Sequence, residues 1–286
     1  MAFMFYTGSE MTQPRTCGKT CKEVSMDELR KLSPYLTKEE EQSPCAKYFY
    51  QPMMELAEEH QMALKQPLPD TYCYMPEDAG WRMLDTPYEK FENGYGVLPN
   101  GIGFSSVLIR QPGRTDEKVK YFREKFAVEG NLYYKAWYPG SHLIHFNDGA
   151  VENFGWGFTK IEFSPLNFNL DIIRVNEQEI AQKDPHCLRI LGAGSVSNGV
   201  FDPGEEEYAG MLMYDREVTG GRELRVRYWD GLTFCSDGTI RIKVIHDREE
   251  MFRRARLRAE HCMREYSNEQ YLMEKFWAER NQKSIL

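Results

Sequence analysis

The sequence predicts an α+β fold of the helix-grip kind: a curved antiparallel sheet around a long C-terminal helix, preceded by a small helical N-terminal region. Three observations predict it. From Trp81 onward, short runs of aromatic and β-branched residues are separated by Gly, Pro, Asn and Asp, as in an antiparallel sheet. From about Asp247 to Arg280 the chain has neither Gly nor Pro and is laced with Glu and Arg, which reads as one long helix. Residues 25–65 are charge-rich, with apolar residues recurring at spacings of three and four.

In chain order, SMDELRKL opens with a Ser-x-x-Glu capping box, and YFYQPMMELAEEHQMALK continues the helical periodicity. Gln66 to Gly80 is dense in proline and turn residues, so the boundary is placed there: a helical region over 1–80 and a helix-grip domain over 81–286. GIGFSSVLI, YYKAWY, WGFTKIEF, LDIIRV, GMLMYDREV, ELRVRYW and TIRIKVI are the expected strands. Thr115 is placed to cap a helix over DEKVKYFREKF, with Asp116 and Glu117 in the first turn where the helix dipole favours negative charge. A sheet gripping a helix leaves a cavity between them, a usual place for a ligand.

Bulk properties narrow the function. The 286 residues, 41% hydrophobic, suffice for a packed core. A formal net charge of −8 argues against nucleic acid, whose recognition needs a basic face. The uncharged run from Asn93 to Ile109 is interrupted by Gly94, Gly96, Pro99, Gly101 and Gly103, so no membrane span is expected. The first residues lack the basic start and apolar core of a secretory signal, and the seven cysteines are an odd, scattered set; a cytoplasmic protein with free thiols is expected. The glycines of LGAGSVSNG lack the lysine of a phosphate loop and are read as a flexible loop. FRRARLR is read as the solvated face of the last helix, with a homodimer contact as its alternative.

Six histidines leave few candidates for a histidine-built site. His261 and Glu265 stand four apart on the C-terminal helix and so share one face, roughly that of Leu257 and Leu272. Spacing alone favours an ordinary surface pair; a second donor set is needed to sharpen it. LYYKAWYPGSHLIHFND supplies Tyr134, Tyr138, His142 and His145 around a Pro139-Gly140 turn. A regular strand sends His142 and His145 to opposite faces, so both point inward only if the backbone is irregular there. Glu162 lies in an aromatic strand whose inner face hydropathy does not decide.

These segments resemble the metal-dependent phloretin hydrolase and 2,4-diacetylphloroglucinol hydrolase family. Tyr134, Trp137, Pro139 and His142 match its Tyr-x-x-Trp-x-Pro-x-x-His stretch, and His261 with Glu265 match its helix motif. Arg225, Arg227, Tyr228, Trp229 and Gly231 resemble a further stretch, and the likeness runs with gaps from about Gly101 to Leu272. The resemblance implies a Bet v 1-like helix-grip domain holding Zn2+, or another divalent metal, on His142, Glu162, His261 and Glu265, with Glu152 competing for the place of Glu162 because the loop between Glu162 and His142 is shorter here. It implies contacts from Tyr134 and Tyr228 to the phenolic oxygens of a small acylated polyphenol, whose carbon–carbon bond is hydrolysed without an organic cofactor. Where the diacetylphloroglucinol enzyme carries a catalytic histidine, this chain has Met213, and His145 is the candidate to move the proton instead. Two rivals stand beside this reading: a non-catalytic carrier of an aromatic ligand, and an iron oxygenase built on two histidines and one carboxylate.

Overall fold

The protein is described here by a computed structural model covering residues 28, 31–84, 90–146, 148–163, 175–197, 207–234 and 239–283. Among the described residues, the short helices α1 (Ala46–Phe49), α2 (Glu58–Ala63) and α3 (Pro76–Leu84) precede the sheet. Strands β1 (Gly94–Val97) and β2 (Gly103–Pro112) lead into helices α4 (Asp116–Glu129) and α5 (Asn131–Trp137). Strands β3 (His142–Phe146), β4 (Gly149–Asn153) and β5 (Phe158–Phe163) follow, then α6 (Glu177–Lys183). The chain continues through β6 (Cys187–Ser197), β7 (Glu207–Val218), β8 (Gly221–Asp230), β9 (Leu232–Phe234) and β10 (Ile240–Ile242) to α7 (Arg248–Lys283).

Eight of these strands form one antiparallel sheet in the order β1-β2-β8-β7-β6-β5-β4-β3, and β9 pairs with β10. Helix α7 crosses one face. Its Ala255, Ala259, Cys262, Met263 and Tyr266 pack with Val107, Val226 and Tyr228 of the strands. Ala255 and Ala259 are small enough for the backbones to come close, and Ser105 Oγ donates to the Ala255 carbonyl at 2.8 Å. Further along α7, Leu272, Met273 and Phe276 pack with α4 and α5, and Phe276 stacks on Tyr133 with centroids 4.7 Å apart. Full burial of such a side chain contributes about 1.5–3 kcal/mol. This second contact holds α5 beside the middle of α7.

The opposite face of the sheet is also covered. Trp229, Phe104, Leu212 and Tyr214 pack with Tyr74, Met83 and Leu84 from α3 and its approach. Both faces of β8 are therefore buried, with Leu224, Val226 and Tyr228 toward α7 and Arg225, Arg227 and Trp229 toward α3. The architecture agrees with the expected α+β class, a large antiparallel sheet with the C-terminal helix across it, as a helix-grip arrangement requires. No helix among the described residues is long and apolar enough to cross a membrane.

Several elements depart from expectation. YYKAWY forms most of α5, not a strand: Leu132 to Ala136 are buried on every side between α4, α7 and β3, so no polar face marks the helical period. Gln66 to Gly80 is not only a linker. Pro76 opens α3, with Glu77 and Asp78 in its first turn, where the missing proline N–H and the helix dipole both suit these residues. The glycine-rich run is strand β6 as far as Ser197, not a loop. The Arg-rich run is only partly solvated, because Arg254 and Arg258 are buried against Glu207 and Asp230. By contrast Thr115 caps α4, accepting from Lys118 N at 3.3 Å. The SMDELRKL capping box and most of LDIIRV lie outside the described residues.

Candidate metal centre

The Pro139-Gly140 turn, with Gly140 at φ 83°, brings the chain from α5 into β3. His142 begins that strand and pairs directly with Glu152 of β4. The pairing slips between His142 and Ile144, so the backbone is irregular at the start of β3. Across from this hairpin, His261 and Glu265 stand one turn apart on α7. His142, Glu152, His261 and Glu265 are all buried, and each offers one ligand atom within 4.8 Å of the others. His142 Nε2 lies 3.6 Å from Glu152 Oε1 and 3.7 Å from Glu265 Oε1. His261 Nε2 lies 3.2 Å from Glu152 Oε2 and 3.7 Å from Glu265 Oε2.

The tautomers follow from the outer contacts. His142 Nδ1 is 2.9 Å from the Tyr134 carbonyl, which only accepts, so Nδ1 carries the hydrogen. Ser141 Oγ donates to the Asn153 carbonyl at 2.6 Å, so at 3.3 Å it accepts from His261 Nδ1. Both Nε2 atoms therefore present lone pairs to the centre, and both are buried without a hydrogen-bond partner. No hydrogen fills the 3.2 Å between His261 Nε2 and Glu152 Oε2; two acceptors face each other.

The charges are unbalanced in the same way. Burial pushes the His142 imidazole down to about 4, and His261 is also lowered by burial. Burial pushes Glu152 up, but His142, His261 and the Tyr134 hydroxyl hold it down at about 2. Burial and then the charge of Glu152 drive Glu265 well above the usual carboxylate range. Two buried carboxylates and two imidazole lone pairs converge on one point, which a divalent cation neutralises and a proton only half relieves. The residues thus fit a metal, with nitrogen and oxygen donors suited to zinc and to other first-row divalent ions.

Aromatic residues fix this group. Tyr134 Oη donates to Glu152 Oε1, and its ring stacks on His142 with centroids 4.0 Å apart. Trp137 Nε1 donates to the Glu265 carbonyl at 2.7 Å, tying α5 to α7. Phe154 packs on His261 with centroids 4.1 Å apart.

The family model for the DAPG hydrolase PhiG domain matches residues 77–277, a span that contains all four residues of the centre. The chain belongs to the DAPG hydrolase family. No curated protein matches it. Membership makes it a carbon–carbon hydrolase of the phloroglucinol type.

Within this DAPG hydrolase domain, the carboxylate beside His142 is Glu152 and not Glu162. Glu162 points outward from β5, its side chain 47% exposed and paired with Lys160 Nζ at 2.9 Å, while Thr159 and Ile161 take the buried face. The cause is the hairpin: β3 pairs with β4 from Phe146 and Gly149 back to His142 and Glu152, so the residue opposite His142 comes from β4. The run Asn-Asp-Gly between two short apolar segments was the signal for this hairpin available in the sequence. Tyr134 reaches the centre from a helix and spends its hydroxyl on Glu152. His145 lies outside the four-residue group, against Phe126, Tyr134 and Phe163, its Nδ1 buried without a partner. Burial lowers its imidazole to about 4, so it is neutral. Tyr228 is buried on the α7 side of β8, and burial raises its phenol well above the ordinary range. Met213 is buried in the same cluster, with Arg189 Nη2 3.4 Å from its sulfur.

Proposed function

We propose that the protein is a metal-dependent hydrolase that cleaves the bond between an acyl carbonyl and a phloroglucinol-type ring, with a phloretin-like substrate giving phloroglucinol and a carboxylic acid. The observation that carries this is the convergence of His142, Glu152, His261 and Glu265 with both Nε2 lone pairs buried and unpartnered, inside the family's matched span. A divalent metal held there, zinc in this reading, supplies positive charge that polarises a ketone oxygen and lowers the pKa of water.

The remaining work falls to the chain. Ser141 and the Tyr134 carbonyl hold the two imidazoles in their ligand tautomers, and the Tyr134 hydroxyl fixes Glu152. Tyr228, a neutral phenol in its buried setting, hydrogen-bonds a ring oxygen. The aryl–acyl bond breaks, its electron pair passes into the ring, and water ends as hydroxyl on the acyl carbon and hydrogen on the ring carbon. His145 and Tyr228 are the proposed sources of the ring-carbon proton. The arm of phloretin, rather than a second acetyl group, is favoured because Met213 stands where the diacetylphloroglucinol enzyme carries a histidine.

Purified protein incubated with phloretin without oxygen tests this. The expected result is one phloroglucinol per phloretin consumed, abolished by a chelator and restored by zinc. Turnover that needs oxygen contradicts the hydrolase, and binding without cleavage in metal-replete protein contradicts an enzyme.

A further inference from the structure

Beyond Met213, on the α7 side of the sheet, sits a second polar group that the metal centre does not use. Arg189 of β6 pairs in register with Asp215 of β7, next on that face to the pair Leu191 and Met213. Alternation along β7 puts Met211, Met213 and Asp215 on the face that carries Tyr228. Asp215 is only 6% exposed, yet neither of its ion contacts is short enough for a hydrogen bond: Arg189 Nη2 lies 3.8 Å and Arg222 Nη1 4.0 Å from Oδ2. Arg189 Nη2 rests 3.4 Å from the Met213 sulfur instead. The charge of Asp215 also acts on Arg114, which spends both terminal nitrogens on Glu269 at 2.8 and 3.3 Å. Asp215 Oδ1, Arg189 Nε and Arg114 Nε are left buried with no hydrogen-bond partner among the described residues. Each such atom costs free energy until a partner arrives.

This group is reached from solvent. The Arg189 side chain is 36% exposed, and Leu191 and Phe163, packed against the same apolar cluster as Met213, are only partly buried. Asp215 stands four residues along β7 from Met211, the partner of Tyr228, which is about 13 Å of strand. That is the span of an extended molecule with two phenolic rings joined by three carbons, one ring at Tyr228 and the hydroxyl of the other at Asp215. A phenol hydroxyl both donates and accepts, so it complements one open carboxylate oxygen and one open guanidinium N–H. A carboxylate in its place meets the charge of Asp215, and an acetyl arm is too short to arrive. We propose that Asp215 and Arg189 form the specificity site for the acyl arm: Asp215 Oδ1 accepts from the hydroxyl of a phenolic ring at the far end of the arm, and Arg189 Nε donates to it, with Met213 and Leu191 along the arm. The proposal rests on the hydrolase reading and names which acyl phloroglucinols it takes, those whose arm ends in a hydroxyphenyl group.

The test compares phloretin with the analogue whose arm ring lacks the hydroxyl. Wild type is expected to favour phloretin about 30-fold in kcat/KM, carried by KM, because the contact forms in the ground state and is kept in the transition state. The preference is expected to fall to about threefold in Asp215→Asn, which removes the charge from the acceptor. Arg189→Met, which keeps the stem of a half-exposed side chain, is expected to lower it in the same way and covers the case in which Asp215→Asn does not fold. A purely structural role weakens both compounds alike and leaves their ratio as it was. A second measurement needs no turnover: both compounds are titrated into metal-free protein by calorimetry, and wild type is expected to bind phloretin about tenfold more tightly than the analogue. Equal values for the two compounds in wild type, a full preference retained in the folded variants, or no binding of phloretin to metal-free wild type each overturns the subsite. If wild type cleaves neither compound, the hydrolase reading fails, and the titration still decides the subsite.

Discussion

Ser141 contributes no ligand atom, yet it decides which nitrogen of His261 faces the centre. Its hydroxyl hydrogen goes to the Asn153 carbonyl, which leaves its lone pair to His261 Nδ1–H. Ser141→Ala removes that constraint without opening the core. It is expected to weaken metal binding about tenfold, measured by competition with a chelator, with the circular dichroism spectrum unchanged. At this scale the sequence was informative where one element fixes the geometry. The four-residue spacing of His261 and Glu265 puts them on one helix face in any setting. Glu152 was less legible because strand pairing, not spacing along one element, selects it; the alternation in β5 could not reveal that Glu162 faces outward until both neighbours of that strand were known.

The same distinction holds for whole elements. α7 announces itself by length and by the lack of Gly and Pro, and α4 by its cap. α5 was hidden because it is buried all round, and aromatic residues without a polar face look like a strand. The glycines of β6 misled for a different reason: they are there for close packing, not for a turn. Gly194 pairs across the sheet with Gly210. A Cβ on Gly194 would meet Thr233 Oγ1 at 2.7 Å, and one on Gly210 would meet Leu232 Cδ2 at 2.9 Å. The two glycines thus form a shallow seat for β9. Gly194→Val is expected to destabilise the fold by about 1–3 kcal/mol in urea unfolding, through overpacking. Equal stability would mean that β9 shifts freely.

Across the whole molecule, the two faces of the sheet carry different loads. The α7 face holds the centre, while the other face holds a buried charge cluster in which Glu92 accepts from Arg225 Nη2 at 2.6 Å and Arg227 Nη2 at 2.7 Å. Burial alone would raise the Glu92 carboxyl, but the two guanidiniums outweigh it and hold it below the usual carboxylate range. A lowered folded value means that its contribution to stability is complete above that range and disappears as pH falls through it. Glu92→Gln, which leaves two buried cations without their anion, is expected to cost about 3–5 kcal/mol at neutral pH. The deficit should shrink on acidification; a deficit independent of pH would show that the pairing carries no such load. Sequence alone placed arginines in β8 but not their partner, which arrives from outside the strand. Metal binding by the whole fold depends on which carboxylate completes the centre. Its most direct test is the metal content of purified wild type, Glu152→Gln and Glu162→Gln protein: one divalent ion per chain in wild type and Glu162→Gln and loss of the ion in Glu152→Gln are expected, whereas a metal-free wild type, or an ion retained in Glu152→Gln, would contradict it.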